Sequence, residues 1–73
     1  MQERRSSMKN NIKQLREAAG MTQAELAAKM NLTTPSINKW ELGRANPTLP
    51  NLIQLADIFM VTLDEVVGRK SIA

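Results

Sequence analysis

Between Thr33 and Asn46 the chain gathers polar side chains that can form directed hydrogen bonds. Thr34, Asn38 and Lys39 supply a hydroxyl, a carboxamide and an ammonium around Pro35, and Arg44 and Asn46 follow shortly after. Such groups recognise a partner; no nucleophile–base pair is visible among them. The 73 residues include no cysteine and no histidine. That removes disulfides, thiolate chemistry, the usual general base and the commonest metal ligands, and the acidic residues form no cluster. The expected chemistry is therefore recognition without metal or cofactor, and not catalysis.

The element that presents these groups is a short helix spanning Thr33 to Gly43. At about 100° per residue, Ile37, Trp40 and Glu41 fall on one face and Thr34, Pro35, Asn38, Lys39 and Leu42 on the other. Thr33 can cap the start, and Pro35 is tolerated in a first turn because its missing N–H would be unpaired there. Gly43 can end the helix in the left-handed conformation. An outer face of short polar groups, one amine and one proline ring suits a reading surface. Trp40 could stack on a base, but its place beside Ile37 assigns it to the core.

The other elements are spaced to support that helix. Met8, Ile12, Leu15 and Ala19 give a helical spacing from about Ser7 to a stop at Gly20. Thr22-Gln23-Ala24-Glu25 is a capping box that opens a second helix running to about Met30. Its inner stripe is Leu26, Ala27 and Met30, with Ala24 and Ala28 small enough for close helix approach. Asn31 stands where a tight turn needs positive φ, and the short link Asn31 to Thr33 forces a sharp helix–turn–helix. Arg44 to Pro47 should be an exposed loop. Thr48 caps a fourth helix, in which Leu49, Leu52, Ile53, Ala56, Phe59 and Met60 form the expected buried stripe. A second capping box, Thr62-Leu63-Asp64-Glu65, starts a short fifth helix with Leu63, Val66 and Val67 apolar, closed by Gly68. The scattered methionines read as core filling. Residues 1–7 read as a flexible arm, 8–68 as one domain and 69–73 as a frayed tail. No strand alternation or repeat is present, so the fold class is all-α.

A net charge of +3 and a pI near 9.8 are compatible with an anionic partner, and equally with an ordinary basic surface. No apolar run approaches the roughly 18 residues of a membrane span. The N-terminus lacks the apolar core of a signal peptide, which makes the cytoplasm the expected location.

Five short helices with a sharp turn between the second and third resemble the phage repressor and Cro family of helix-turn-helix proteins, with its lambda-repressor-like fold. The likeness runs from Ile12 to Val67. It rests on Leu15-Arg16, on Thr-Gln-Ala-Glu-Leu-Ala at 22–27 and on Ser-Ile at 36–37. Trp-Glu-Leu-Gly-Arg-Ala-Asn-Pro at 40–47 and Val-Thr-Leu-Asp-Glu at 61–65 extend it. Glycine is usual in that family where Asn31 and Met60 stand here; asparagine accepts a left-handed backbone, whereas methionine does so poorly.

The resemblance implies double-stranded DNA as partner, with Thr34, Pro35, Asn38 and Lys39 facing base edges in the major groove. It implies phosphate contacts from Gln23, Thr33, Ser36, Arg44 and Asn46. It also implies a structural ion pair between Arg16 and Glu41. Arg4 and Arg5 fit either a solvated end or an arm that touches DNA. The function so implied is a sequence-specific transcriptional regulator, a repressor, acting as a homodimer, with Ile58, Val67 and Ile72 as the apolar candidates for the dimer contact. The alternative is an antitoxin-type module that binds a toxin through those same apolar residues and also binds its own promoter.

Overall fold

Four threonines set the frame of the molecule. In the computed structural model, which describes residues 10–68, Thr22, Thr33, Thr48 and Thr62 each adopt extended backbone and each accepts a hydrogen bond from an N–H in the first turn of the helix that follows. These caps satisfy donors that helical geometry leaves unpaired. The five helices are α1 (Ile12–Ala18), α2 (Gln23–Met30), α3 (Thr34–Leu42), α4 (Leu49–Phe59) and α5 (Leu63–Val67), with no strand among the described residues. Both expected capping boxes form: Glu25 Oε1 accepts from the Thr22 N–H at 2.8 Å, and Glu65 Oε1 from the Thr62 N–H at 2.8 Å.

The helices end by a common device. Asn31, Gly43, Met60 and Gly68 all take left-handed backbone after α2, α3, α4 and α5. That turns the chain sharply while the last carbonyls still find N–H partners. Asn31 was the expected case; Met60 does the same at φ 59° with no help from its side chain, which is 89% exposed.

One core draws on every helix. It comprises Ile12 from α1, Leu26, Ala27 and Met30 from α2, Ile37 and Trp40 from α3, Leu55 and Ala56 from α4, and Val66 from α5. Burying aliphatic side chains this fully contributes about 1.5–3 kcal/mol each against the entropy of ordering the chain. The inner faces expected of α2 and α3 are the ones found.

The expectation for α4 needs correction. Helical spacing predicts Leu49, Ile53 and Met60 in a buried stripe, yet they are 60%, 47% and 89% exposed, and Leu55 is buried in their stead. The stripe that packs is Leu52, Leu55, Ala56 and Phe59. Both sets satisfy helical spacing because α4 is apolar on most of its circumference; contact with α1 and α5 decides which set turns inward. Ala24 and Ala28 are likewise exposed and mediate no close approach. In the loop after α3, Arg44 and Asn46 are exposed as expected, but Pro47 is buried and Ala45 packs on the core.

The start of α1 holds contacts not foreseen. The helix begins at Ile12, later than its spacing suggested, and two asparagines fasten it to distant parts of the chain. Asn10 Oδ1 accepts from the Ile12 N–H, and its Nδ2 donates to the Trp40 carbonyl at 2.9 Å. Asn11 donates from its backbone to Val66 O at 2.9 Å and from its side chain to Glu65 O at 2.8 Å. The carbonyl ends of α3 and α5 are thereby satisfied by one short segment. Met8, the arm with Arg4 and Arg5, and the tail with Ile72 lie outside the described residues.

Candidate nucleic-acid interface

The turn between α2 and α3 depends on one left-handed residue. Left-handed Asn31 allows the Leu32 N–H to donate to Ala27 O at 2.9 Å, and the Leu32 side chain packs on the core behind it. Thr33 then caps α3: its Oγ1 accepts from the Ser36 N–H at 3.4 Å and lies 3.0 Å from Ser36 Oγ. Ile37 and Trp40 face inward, and this fixes α3 about its axis. Thr34, Pro35, Asn38, Lys39 and Leu42 are left exposed together. The four expected base-facing residues thus share one open helix face.

The far end of α3 is equally constrained. Gly43, at φ 76°, turns the chain so that the Arg44 N–H donates to Lys39 O at 2.9 Å. The loop carrying Arg44 and Asn46 is therefore tied directly to the helix it extends. Both side chains are free to meet a partner lying along α3.

Behind the open face lies the ion pair that the resemblance implied. Arg16 Nε donates to Glu41 Oε2 at 2.6 Å and Nη2 to Glu41 Oε1 at 3.1 Å, while Nη1 donates to the Met21 carbonyl at 2.8 Å. The two side chains are only 10% and 3% exposed. The hydrogen bonds to Glu41 raise the Arg16 pKa further above its ordinary value, against the opposing effect of burial, so the guanidinium stays charged at any working pH. The fork geometry holds α1, the α1–α2 loop and α3 in fixed relation. Because these charges cancel, Lys39 and Arg44 give the exposed face its positive character.

Gln23, at the start of α2, turns its side chain toward α3. Its Nε2 donates to Glu41 Oε1 at 2.9 Å and to Asn38 Oδ1 at 3.3 Å. A phosphate contact through this amide would compete with both bonds. What the start of α2 offers a phosphate is backbone: the N–H groups of Gln23 and Ala24 have no protein acceptor among the described residues, since the capping box engages those of Thr22 and Glu25. The Gln23 bonds were not readable in the sequence, because they depend on how closely α2 and α3 approach. The Asn10-Asn11 pair ahead of Ile12 did carry a signal, as two good capping residues before an apolar periodicity.

Of the apolar residues considered for a protein contact, Ile58 and Val67 are half-buried, and Ile58 packs on the core. The most exposed large apolar side chains are Met60, Leu49, Leu42, Ile53 and Leu63. Leu49 and Ile53 lie one turn apart on the same side of α4. No group of acidic residues able to hold a metal ion occurs among the described residues.

The chain is 34% identical over 62 residues to the cryptic phage CTXphi transcriptional repressor RstR of Vibrio cholerae, covering 85% of this chain and 55% of that protein. It is 31% identical to the HTH-type transcriptional activator BcrR of Enterococcus faecalis, over 84% of this chain and 30% of that protein. It is 27% identical to the HTH-type transcriptional regulator ImmR of Bacillus subtilis, over 92% of this chain and 53% of that protein. The chain spans about half the length, or less, of these curated relatives. Residues 12–66, from the first residue of α1 to the buried valine of α5, match the sequence profile of the helix-turn-helix family, and the chain belongs to that family.

Proposed function

We propose that this protein is a sequence-specific, double-stranded DNA-binding transcriptional regulator that reads an operator through the major groove. The observation that carries the reading is the division of α3: Ile37 and Trp40 are locked in the core while Thr34, Pro35, Asn38 and Lys39 share one exposed face. A helix of this size fits the major groove, and a hydroxyl, a carboxamide and an ammonium match the hydrogen-bonding edges displayed there. Arg44 and Asn46, with Thr33 and Ser36 at the opposite end of α3 and the free backbone N–H groups at Gln23, are suited to the phosphates on either side. The protein acts by occupying its site, as a repressor, in keeping with the name of the Vibrio relative.

The working unit is a homodimer on a near-palindromic operator. One reading helix touches too few base pairs for genomic specificity, and a domain this small gains from burying surface against a partner. The exposed Leu49 and Ile53 on α4 are the apolar surface for a second copy of the chain. Its place is the cytoplasm; among the described residues no helix is long and apolar enough to cross a membrane.

Selection of bound sequences from a random DNA pool tests this. The expected result is an inverted repeat with half-sites about 10 base pairs apart centre to centre. Recovery of unenriched DNA, with binding that depends on salt but not on sequence, would reject sequence-specific regulation.

A further inference from the structure

Four side chains from three helices form a chain of hydrogen bonds whose direction is set by chemistry. Arg16 is a donor only, and it holds Glu41 through Nε and Nη2. Glu41 is an acceptor only, so the end of Gln23 that lies 2.9 Å from Glu41 Oε1 must be its NH2. The same nitrogen lies 3.3 Å from the amide of Asn38, which must therefore present its carbonyl oxygen to Gln23. An amide whose oxygen is turned toward α2 has its NH2 turned away. Asn38 lies exposed on the open face of α3, and its Nδ2 has no acceptor among the described residues.

We propose that the Arg16–Glu41–Gln23–Asn38 relay fixes the amide of Asn38 so that it offers DNA a donor, and that Gln23 is a positioning residue for base recognition through its side chain. This rests on the reading of α3 as the groove-facing helix. A freely rotating asparagine can turn either its oxygen or its nitrogen outward, and can satisfy a base donor or a base acceptor with little preference. The relay removes that choice. Asn38 then selects a base edge that accepts, such as a purine N7, guanine O6 or thymine O4, over the exclusively donating N4 amino group of cytosine. The anchor of the relay is the nearly buried ion pair, so the preference of an exposed residue is set from the interior of the protein. Gln23 would shape specificity without touching a base.

The test compares the protein with its Asn38→Ala, Gln23→Met and doubly substituted variants, with Lys39→Ala alongside. Binding is measured to the selected operator and to all its single-base variants at several salt concentrations, after thermal melts have identified variants that remain folded. Methionine keeps the length of glutamine and the backbone N–H at position 23 but removes the relay donor. The expected result is that Asn38→Ala abolishes preference at one base pair, where the wild type favours an accepting edge. Gln23→Met should lower discrimination at that same base pair by about 3- to 10-fold, as loss of one hydrogen bond does. The double variant should be no less discriminating than Asn38→Ala, and the salt dependence of Gln23→Met should match the wild type. Replacing the preferred purine by its 7-deaza analogue should cost the wild type more than Gln23→Met if N7 is the acceptor.

Uniform weakening of all sequences by Gln23→Met, with a salt slope lower by about one, would make its side chain a phosphate contact and overturn the proposal. So would a wild-type preference for cytosine on the contacted edge at the Asn38 position. A preference lost in Asn38→Ala but fully kept in Gln23→Met overturns the relay alone. Preferences untouched by both Asn38→Ala and Lys39→Ala overturn the relay together with the placement of α3 in the groove.

Discussion

Arg16 and Glu41, 25 residues apart in the chain, face each other through two hydrogen bonds of 2.6 and 3.1 Å in a setting where neither side chain is more than 10% exposed. Removing one partner strands the other as an uncompensated charge. Glu41→Ala also takes an acceptor from Gln23. Each single substitution is expected to destabilise the fold by about 3 kcal/mol, whereas the pair Arg16→Met with Glu41→Leu should lie much closer to the wild type. Urea unfolding of the three variants measures this; two alanine variants as stable as the wild type would show the pair to be energetically idle.

Met60 adopts left-handed backbone at φ 59° and ψ 46°, and its 89% exposed side chain has almost no burial to lose. A β-carbon in that conformation costs about 1–2 kcal/mol. Glycine relieves the strain, although its greater freedom in the unfolded chain returns about 0.4–1 kcal/mol. Met60→Gly is expected to stabilise, by up to about 1.5 kcal/mol. At about 4–8 °C per kcal/mol for a domain of this size, the melting temperature should rise by a few degrees. A fall would mean that the methionine side chain contributes more than its exposure implies.

Lys39 lies in the last turn of α3 and Arg44 in the loop just past Gly43, and the two should divide recognition from positioning. Lys39→Ala is expected to relax preference at one or two operator positions, at a cost of about 1–3 kcal/mol. Arg44→Ala should weaken every sequence alike and shallow the salt dependence by about one unit. Affinities for the operator and its single-base variants across salt concentrations separate the two. Uniform weakening by Lys39→Ala would make it another phosphate contact.

Leu49 and Ile53 are exposed on α4, so charging them should leave the folded protomer within about 0.5 kcal/mol of the wild type. Ile53→Lys is nevertheless expected to dissociate the homodimer and to lower operator affinity at least tenfold. Sedimentation with and without operator DNA checks both parts. A wild-type protein that stays monomeric when concentrated and when bound would reject dimerisation outright, and an unchanged Ile53→Lys dimer would place the interface on another surface.

What the sequence determined by itself is local or nearly local. Thr22 with Glu25 and Thr62 with Glu65 form their boxes because the partners lie three residues apart, within reach as soon as a helix starts. The two faces of α3 were legible because Ile37 and Trp40 fall together on one side of the helix, while Thr34, Asn38 and Lys39 fall on the other with Pro35 and Leu42. The left-handed turn at Asn31 followed from the short link and the tolerance of asparagine. Only the tertiary structure decided the rest. In α4, apolar residues occur around most of the helix, so periodicity could not choose between Leu49 with Ile53 and Leu55; packing against α1 and α5 chose Leu55. The Arg16–Glu41 pair was suggested by resemblance, but its burial and its second hydrogen bond are products of helix packing. The turning of Gln23 toward Glu41 and Asn38, and the fastening of α1 by Asn10 and Asn11 to carbonyls 30 and 54 residues away, join groups that become neighbours only once the core has formed. A carboxamide can accept or donate in either direction, and its sequence neighbours do not say which; here the buried charge of Glu41 decides.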